Sequence, residues 1–197
     1  MIIPGTKSDV VWGSGSWAFL DIGFSSSDRT CGLVIGEEDP LAMTFGETRQ
    51  KLLEWLEGCK FIANLVIEAP LSVCFDARGN PRGRTIERSG AQNRYWYTGA
   101  GCTVMTAALY MIRALYDARP SANFRLFEGF VSFKLRGAKS SHEEDVNALR
   151  ETVRNPGATK GRLVSADELK ISENDMLQSA FRVAGMDCGV PAIIMVR

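Results

Sequence analysis

Two acidic residues stand where a folded chain seldom places a charge, within segments that are typical of buried strands. Asp21 interrupts the apolar run 17–24, and Glu68 closes the run 65–67 just before Ala69-Pro70. Burying an unpaired carboxylate costs several kcal/mol unless a metal ion, a cation or hydrogen bonds compensate it. The pair therefore indicates a site, although an ion pair for Asp21 and a surface strand end for Glu68 are alternatives.

The segments around these acids predict an α/β domain. Residues 17–24, 30–35 and 41–45 have strand-like compositions and are separated by polar turns, which predicts a three-strand meander. Leucines at helical spacing predict a helix over 46–58. The strand that ends at Glu68 follows that helix directly.

The rest of the chain alternates helices with one more strand. Helical periodicity predicts helices over 102–119, from about 141 to 154, and from 172 to 185 or 189. A strand is predicted over 124–130. Residues 70–98 have the composition of a long polar loop, and loops of that length in compact domains are usually functional or mobile.

Composition limits the protein class. The 197 residues, 45% of them hydrophobic, suit a single domain over 17–197, preceded by a flexible lead-in over 1–16. Basic and acidic residues number 23 each, so no global field attracts nucleic acid or a membrane. Five scattered cysteines without a Cys-x-x-Cys pair favour a reducing compartment. No segment approaches the ~20 apolar residues of a membrane span, so we expect a cytoplasmic protein without a membrane partner.

Several short pieces of sequence, taken in their order and spacing, carry a resemblance to a known superfamily. They are Asp21-Ile22-Gly23, Gly32, Val66-Ile67-Glu68-Ala69-Pro70, Phe127-Glu128 and the segment 173–180. Over about 17–185 the chain resembles the RNase H-like superfamily, with closer likenesses to RuvC-type Holliday-junction resolvases and to an uncharacterised family of predicted RNase H-like nucleases. The resemblance implies a mixed five-stranded sheet, with a three-strand meander and two parallel strands, flanked by helices.

The resemblance also implies a catalytic arrangement. The first and fourth strands would lie side by side and parallel, which brings Asp21 and Glu68 together, and the last helix would deliver Asp175. The implied activity is hydrolysis of phosphodiester bonds with Mg²⁺ or Mn²⁺ as cofactor. Asp21 would bridge two ions, with Glu68 and Asp175 each holding one. A cap at the start of a helix is the alternative role for Asp175.

The chain departs from the resolvase pattern at one position. That pattern has a further acid three residues before the helix aspartate, where this sequence has Ser172. Glu173 or Glu128 are the candidates to take its place at the metal. The departure puts full activity in doubt.

Other residues are candidates for contact with nucleic acid, with DNA and RNA both left open. Tyr95-Trp96-Tyr97 could stack on unpaired bases or pack against the core. Arginines could bind phosphates through paired hydrogen bonds, or form an ordinary solvated surface. The positively charged candidates are Arg78, Arg82, Arg84, Arg88 and Lys134. His142, the only histidine, lies in Ser141-His142-Glu143-Glu144, which predicts a helix start with a capping box.

Two functions follow as hypotheses. The first is a metal-dependent nuclease, which as a resolvase would need a homodimer because two strands are cut symmetrically. The second is a catalytically inactive RNase H-like module that binds nucleic acid or a protein partner. The zero net charge and Ser172 favour the second.

Overall fold

The computed structural model describes residues 1–24, 29–118, 122–131, 140–157 and 159–196. Its α-helices are α1 (Phe45–Gly58), α2 (Gly99–Asp117) and α3 (His142–Arg154). Its strands are β1 (Ile2–Pro4), β2 (Ser16–Ile22), β3 (Cys31–Ile35), β4 (Leu41–Met43), β5 (Ala63–Glu68), β6 (Ser72–Phe75), β7 (Arg88–Ser89), β8 (Gln92–Asn93), β9 (Phe124–Val131), β10 (Arg162–Val164), β11 (Met176–Ser179) and β12 (Ile193–Val196). None of the helices in these ranges is both long and apolar enough to cross a membrane.

The main sheet has the strand order β10-β12-β9-β5-β2-β3-β4, and β1 also pairs with β9. Strands β2, β3 and β4 form an antiparallel meander, while β5 lies parallel between β2 and β9. The predicted α/β class and the meander followed by two parallel strands are confirmed. The sheet is larger than the predicted five strands, because β1, β10 and β12 extend it beyond β9.

The first residues belong to the domain. Strand β1 pairs in parallel with the start of β9, and the Gly5 amide donates to the Leu126 carbonyl at 2.7 Å. Val10 is buried in the same apolar cluster as Trp17. The segment predicted as a flexible lead-in is therefore paired with β9, and its Ile2 and Val10 side chains are buried.

The predicted helix from Ser172 is also wrong. Strand β11 pairs antiparallel with β6, and a short 3₁₀ turn over Ala180–Ala184 follows it. Residues 70–98 were predicted as a loop, but they contain strand β6 and the β7–β8 hairpin. Pairing between segments about a hundred residues apart overrides the local helical pattern.

Side-chain alternation along β2 divides the core into two layers. Ala18 and Leu20 pack in the cluster that contains the apolar residues of α1 and α2. Trp17 and Phe19 pack on the other face, with the apolar residues of α3. Because successive side chains of a strand point to opposite faces, Asp21 must lie on the α3 face.

Candidate metal centre

The pairing of β2 with β5 places two acids side by side. Asp21 lies opposite Glu68 in the parallel ladder. Glu68 follows Val66 by two residues, and Val66 packs in the cluster on the α3 face. Both carboxylates therefore leave the sheet at the carboxyl ends of neighbouring parallel strands and on the same face. This juxtaposition is the one implied by the resemblance.

Helix α3 supplies the third acid. Ser141 caps it by accepting a hydrogen bond from the Glu144 amide, and the Glu144 carboxylate accepts from the Ser141 amide, as the sequence predicted. One turn of helix then carries Asp145 over the ends of β2 and β5. Ligand oxygens of Asp21, Glu68 and Asp145 all lie within 4.8 Å of one another. Asp21 and Asp145 are only 5% and 6% exposed.

Two glycines allow α3 to approach the sheet closely. A Cβ at Gly23 would lie 2.0 Å from the His142 ring, and a Cβ at Gly32 would lie 2.3 Å from the His142 carbonyl oxygen. A side chain at Gly32 would push the main chain at the start of α3 away, and one at Gly23 would displace the His142 ring. The glycines that carry part of the family resemblance therefore have a structural task, which is to let the helix deliver Asp145.

The same helix places His142 against Asp21. The His142 Nδ1 and Asp21 Oδ2 atoms are 2.5 Å apart. This hydrogen bond raises the pKa of His142 above its usual value, against the opposing effect of burial, and the charges of Asp21 and Asp145 raise it further. Below that raised pKa the imidazolium partly balances the carboxylates and orients Asp21.

The His142–Asp21 contact can be tested directly by NMR. Because His142 is the only histidine, its imidazole gives a single titration curve. We expect a pKa above the ordinary value of about 6.5 in metal-free protein, and a lower pKa in Asp21→Asn, which removes the acceptor charge. Asp117→Asn, an exposed acid on α2, should leave the curve unchanged. A curve that is the same in all three proteins would contradict the contact.

The three acids open into a cleft of about 260 Å³. Arg94 lines the same cleft, with Nη1 donating to the Val131 carbonyl at 2.8 Å and the guanidinium 5.5 Å from the centre of the Phe130 ring. A wider cleft of about 920 Å³ lies at the other end of β2 and β5, and its lining, from Gly13 to Asn123, contains no carboxylate. The three acids therefore share the smaller of these two clefts, the acid cleft.

Asp175 lies outside this group. It is buried, forms an ion pair with Arg82 at 3.1 Å, and accepts hydrogen bonds from the Ile171 and Ser172 amides at 2.9 Å. These bonds close the turn before β11 and occupy the carboxylate. The role predicted for Asp175 depended on a last helix that does not form. The neighbouring Glu173 is exposed on the same turn and is also not in the acid group.

Glu128 faces away from the acid cleft. In the β5–β9 ladder Gly129, not Glu128, lies opposite Glu68, so the Glu128 side chain leaves the opposite face of the sheet. There it accepts hydrogen bonds from Arg84 Nη1 at 2.7 Å and from the Leu71 amide at 2.8 Å. The prediction that Glu128 could hold the metal is therefore corrected: it is a partner of Arg84.

The predicted nucleic-acid contacts separate into three groups. Arg84 is buried between Glu87 and Glu128, so it cannot meet a phosphate, and its inclusion is corrected. Arg82 is half-buried and paired with Asp175. The other three residues are either exposed or outside the described ranges: Arg78 and Arg88 are exposed, and Lys134 falls within 132–139, which the structure does not describe.

Sequence reasoning missed three residues of the cleft: Asp145, His142 and Arg94. A signal for Asp145 was present, because it lies four residues before Leu149 and therefore on the apolar stripe of α3. An acid on a buried stripe is as unusual as Asp21 in a buried strand. Once Asp145 is placed at the cleft, His142 is expected there too, because residues three apart lie on the same face of a helix.

The chain was also compared with known proteins. It was matched against protein-family models, curated proteins and solved structures, and no match was found in any of the three.

Proposed function

We propose that this chain is an RNase H-like nuclease that hydrolyses phosphodiester bonds of nucleic acid with a divalent metal ion. The observation that carries the proposal is the convergence of Asp21, Glu68 and Asp145 within 4.8 Å at the floor of a cleft. Acids this close repel one another unless a cation lies between them. Their arrangement is built by the sheet and α3 together, and is not a chance cluster on one loop.

The topology supports the family assignment. The resemblance implied a first and a fourth strand side by side, and β2 and β5 are paired with Asp21 opposite Glu68. It also implied a helix aspartate beside these two acids. Asp145 lies on α3 and close to both, whereas Asp175 lies on the turn before β11. The resolvase pattern has a further acid three residues before the helix aspartate. Three residues before Asp145 this chain has His142.

The residues present fit Mg²⁺ or Mn²⁺. The three carboxylates give an all-oxygen donor set, which these hard ions prefer. When bound, such an ion can activate a water and stabilise the leaving oxygen of a phosphodiester. Asp21, Glu68 and Asp145 would hold it, and His142 would fix the orientation of Asp21 through Nδ1.

Arg94 supplies the positive side of the cleft. Its guanidinium is held by the Val131 carbonyl and the Phe130 ring, so it is positioned before substrate arrives. A fixed guanidinium opposite a metal site can orient a phosphate by charge-assisted hydrogen bonds. This role gives the electrically neutral chain a local phosphate contact.

The test is cleavage of labelled oligonucleotides. Single-stranded, duplex and branched DNA and RNA are incubated with Mg²⁺ or Mn²⁺, with EDTA as the metal-free control. We expect metal-dependent cleavage by the wild type and a loss on the order of 10²–10³-fold in Asp21→Asn, because one of the three carboxylates that would hold the metal ion is removed. Asp117→Asn serves as the matched surface control. Full activity in Asp21→Asn would rule out the catalytic assignment.

A non-catalytic module is the second candidate function. The zero net charge favours a module with a protein partner, because no global field then attracts a polyanion. It predicts oligonucleotide or protein binding without cleavage in either metal. Oligonucleotide binding by the wild type without cleavage in either metal would therefore favour the module over the nuclease.

A further inference from the structure

A second cleft lies on the surface next to the acid cleft, and we call it the tyrosine cleft. Its volume is about 640 Å³. Its lining includes two arginines and two tyrosines, Arg82, Arg88, Tyr95 and Tyr97, together with Gly83. Nothing in the proposed catalytic mechanism uses this cleft.

The two tyrosines form a fixed stacked pair. Their ring centres are 5.3 Å apart and their planes differ by 9°. Trp96 between them is buried, donates from Nε1 to the Arg82 carbonyl at 2.9 Å and packs edge-on against Phe75. With the middle residue anchored in the interior, Tyr95 and Tyr97 are both held at the cleft.

Gly83 makes room for this pair. A Cβ at that position would lie 2.4 Å from the Tyr95 ring. The Tyr95 ring therefore packs directly on the main chain of Gly83. A side chain at position 83 would displace the ring. An aromatic surface held this tightly loses little conformational entropy when a flat ligand stacks on it.

Two consecutive residues line the two clefts. Arg94 lines the acid cleft and Tyr95, the next residue, lines the tyrosine cleft. Consecutive Cα atoms are about 3.8 Å apart. The linings of the two clefts therefore contain residues that are adjacent in the chain, and a strand that contacts both Arg94 and Tyr97 would place neighbouring nucleotides in the two clefts.

The charge of the tyrosine cleft suits a nucleotide. Arg88 is exposed beside the aromatic pair, and Arg82 shares the cleft while paired with Asp175. Aromatic rings that stack on bases, combined with cations that contact phosphates, are the usual means of binding single strands. A paired base has both faces covered by its neighbours in the duplex and cannot add to such a stack.

We propose that the tyrosine cleft binds an unpaired nucleotide adjacent to the scissile phosphate, so that the substrate is single-stranded at this point. The location beside a scissile phosphate rests on the proposed nuclease function. The binding itself uses neither the acids nor a metal. It can therefore be measured separately from cleavage.

The experiment measures oligonucleotide binding by fluorescence anisotropy in EDTA, with Asp21→Asn as the parent protein. The probes are single strands of about 12 nucleotides, in DNA and RNA forms, and the matching duplex. Stacking of one base is lost in Tyr97→Ala, so we expect its Kd for single strands to rise about tenfold or more. Tyr97→Phe keeps the ring and should bind like the parent. Tyr116→Ala, an exposed tyrosine on α2, is the matched control.

The outcomes are distinct. Tighter binding of either single strand than of duplex, lost in Tyr97→Ala and kept in Tyr97→Phe, supports the tyrosine cleft, and the tighter of the two identifies the sugar. Equal Kd values for the parent and Tyr97→Ala, or equal affinity for duplex and single strand, would overturn it. Absence of cleavage together with Tyr97-dependent binding would overturn the nuclease function and leave the tyrosine cleft supported as a binding site.

Discussion

Replacing Asp145 by asparagine should abolish metal-dependent cleavage, whereas the same replacement at Asp175 should not. We expect the rate in Asp145→Asn to fall on the order of 10²–10³-fold, because one negative charge is removed from the carboxylate cluster. Asp175 is occupied by Arg82 and two main-chain amides away from that cluster. Its variant should therefore cleave within about threefold of the wild type.

Single-turnover rates with saturating Mn²⁺ make this comparison, because they report the chemical step. The free energy of unfolding is measured for both variants in urea, so that a loss of structure is not mistaken for a loss of chemistry. A large loss in Asp175→Asn, with Asp145→Asn fully active, would contradict this assignment. It would identify Asp175 as the third carboxylate, as the sequence predicted.

The largest effect on stability should come from Arg84→Met. Arg84 is fully buried and donates hydrogen bonds to Glu87, Glu128 and Ser72 at 2.7–3.2 Å. Its two carboxylate partners raise its pKa even though burial acts in the opposite direction. Removing one partner of a buried ionic network costs about 3–5 kcal/mol, because the remaining charges are left uncompensated.

Urea denaturation of Arg84→Met measures this loss. Arg78→Met, at an exposed position, is the matched control and should change the free energy of unfolding by less than about 0.5 kcal/mol. Adding Glu87→Gln and Glu128→Gln to Arg84→Met should restore part of the loss, since no unpaired charge then stays buried. A loss below about 1 kcal/mol in Arg84→Met would contradict the predicted cost of leaving Glu87 and Glu128 without their cation.

The same variant should respond to pH in a defined direction. Burial raises the pKa of Glu87 above its usual value, and Arg84 opposes that effect. Without Arg84 the folded protein binds a proton at Glu87 more readily than the unfolded chain does. The free energy of unfolding of Arg84→Met should then rise, relative to wild type, as the pH falls from about 7.5 to about 5. A difference that is independent of pH would contradict the assignment of an ionised buried carboxylate.

Sequence alone could predict the Asp21–Glu68 pair. Each acid belongs to an apolar strand-like segment, and the order of elements implied that the two strands are parallel neighbours. The ladder places the two residues opposite each other. The apolar pattern of a strand is a local property of the sequence. The segments around Asp21 and Glu68 were therefore sufficient to predict that each acid lies in a strand.

Asp145 was harder to recognise, because acids are ordinary in the first turn of a helix. Its position relative to Leu149 distinguishes it from Glu143 and Glu144, whose side chains do not share that buried stripe as fully. The approach of α3 to the sheet also depends on Gly23 and Gly32. That contact joins distant parts of the chain and has no local signal.

The helix predicted to carry Asp175 does not form, for a related reason. A carboxylate that accepts main-chain amides has the same local sequence pattern in a helix cap and in a turn. The turn forms here because β11 finds β6, a partner distant in sequence. Arg84 illustrates the same limit, because nothing local in an arginine-rich segment distinguishes the one arginine that is buried between two acids.

The most direct test of the metal centre is a crystal structure of the wild type soaked in Mn²⁺, with anomalous diffraction to locate the ion. We expect an anomalous peak bounded by the carboxylates of Asp21, Glu68 and Asp145, and a weaker peak or none in Asp145→Asn. No peak at these three residues in the wild type, or a peak at Asp175 and Glu173 instead, would contradict the proposed centre.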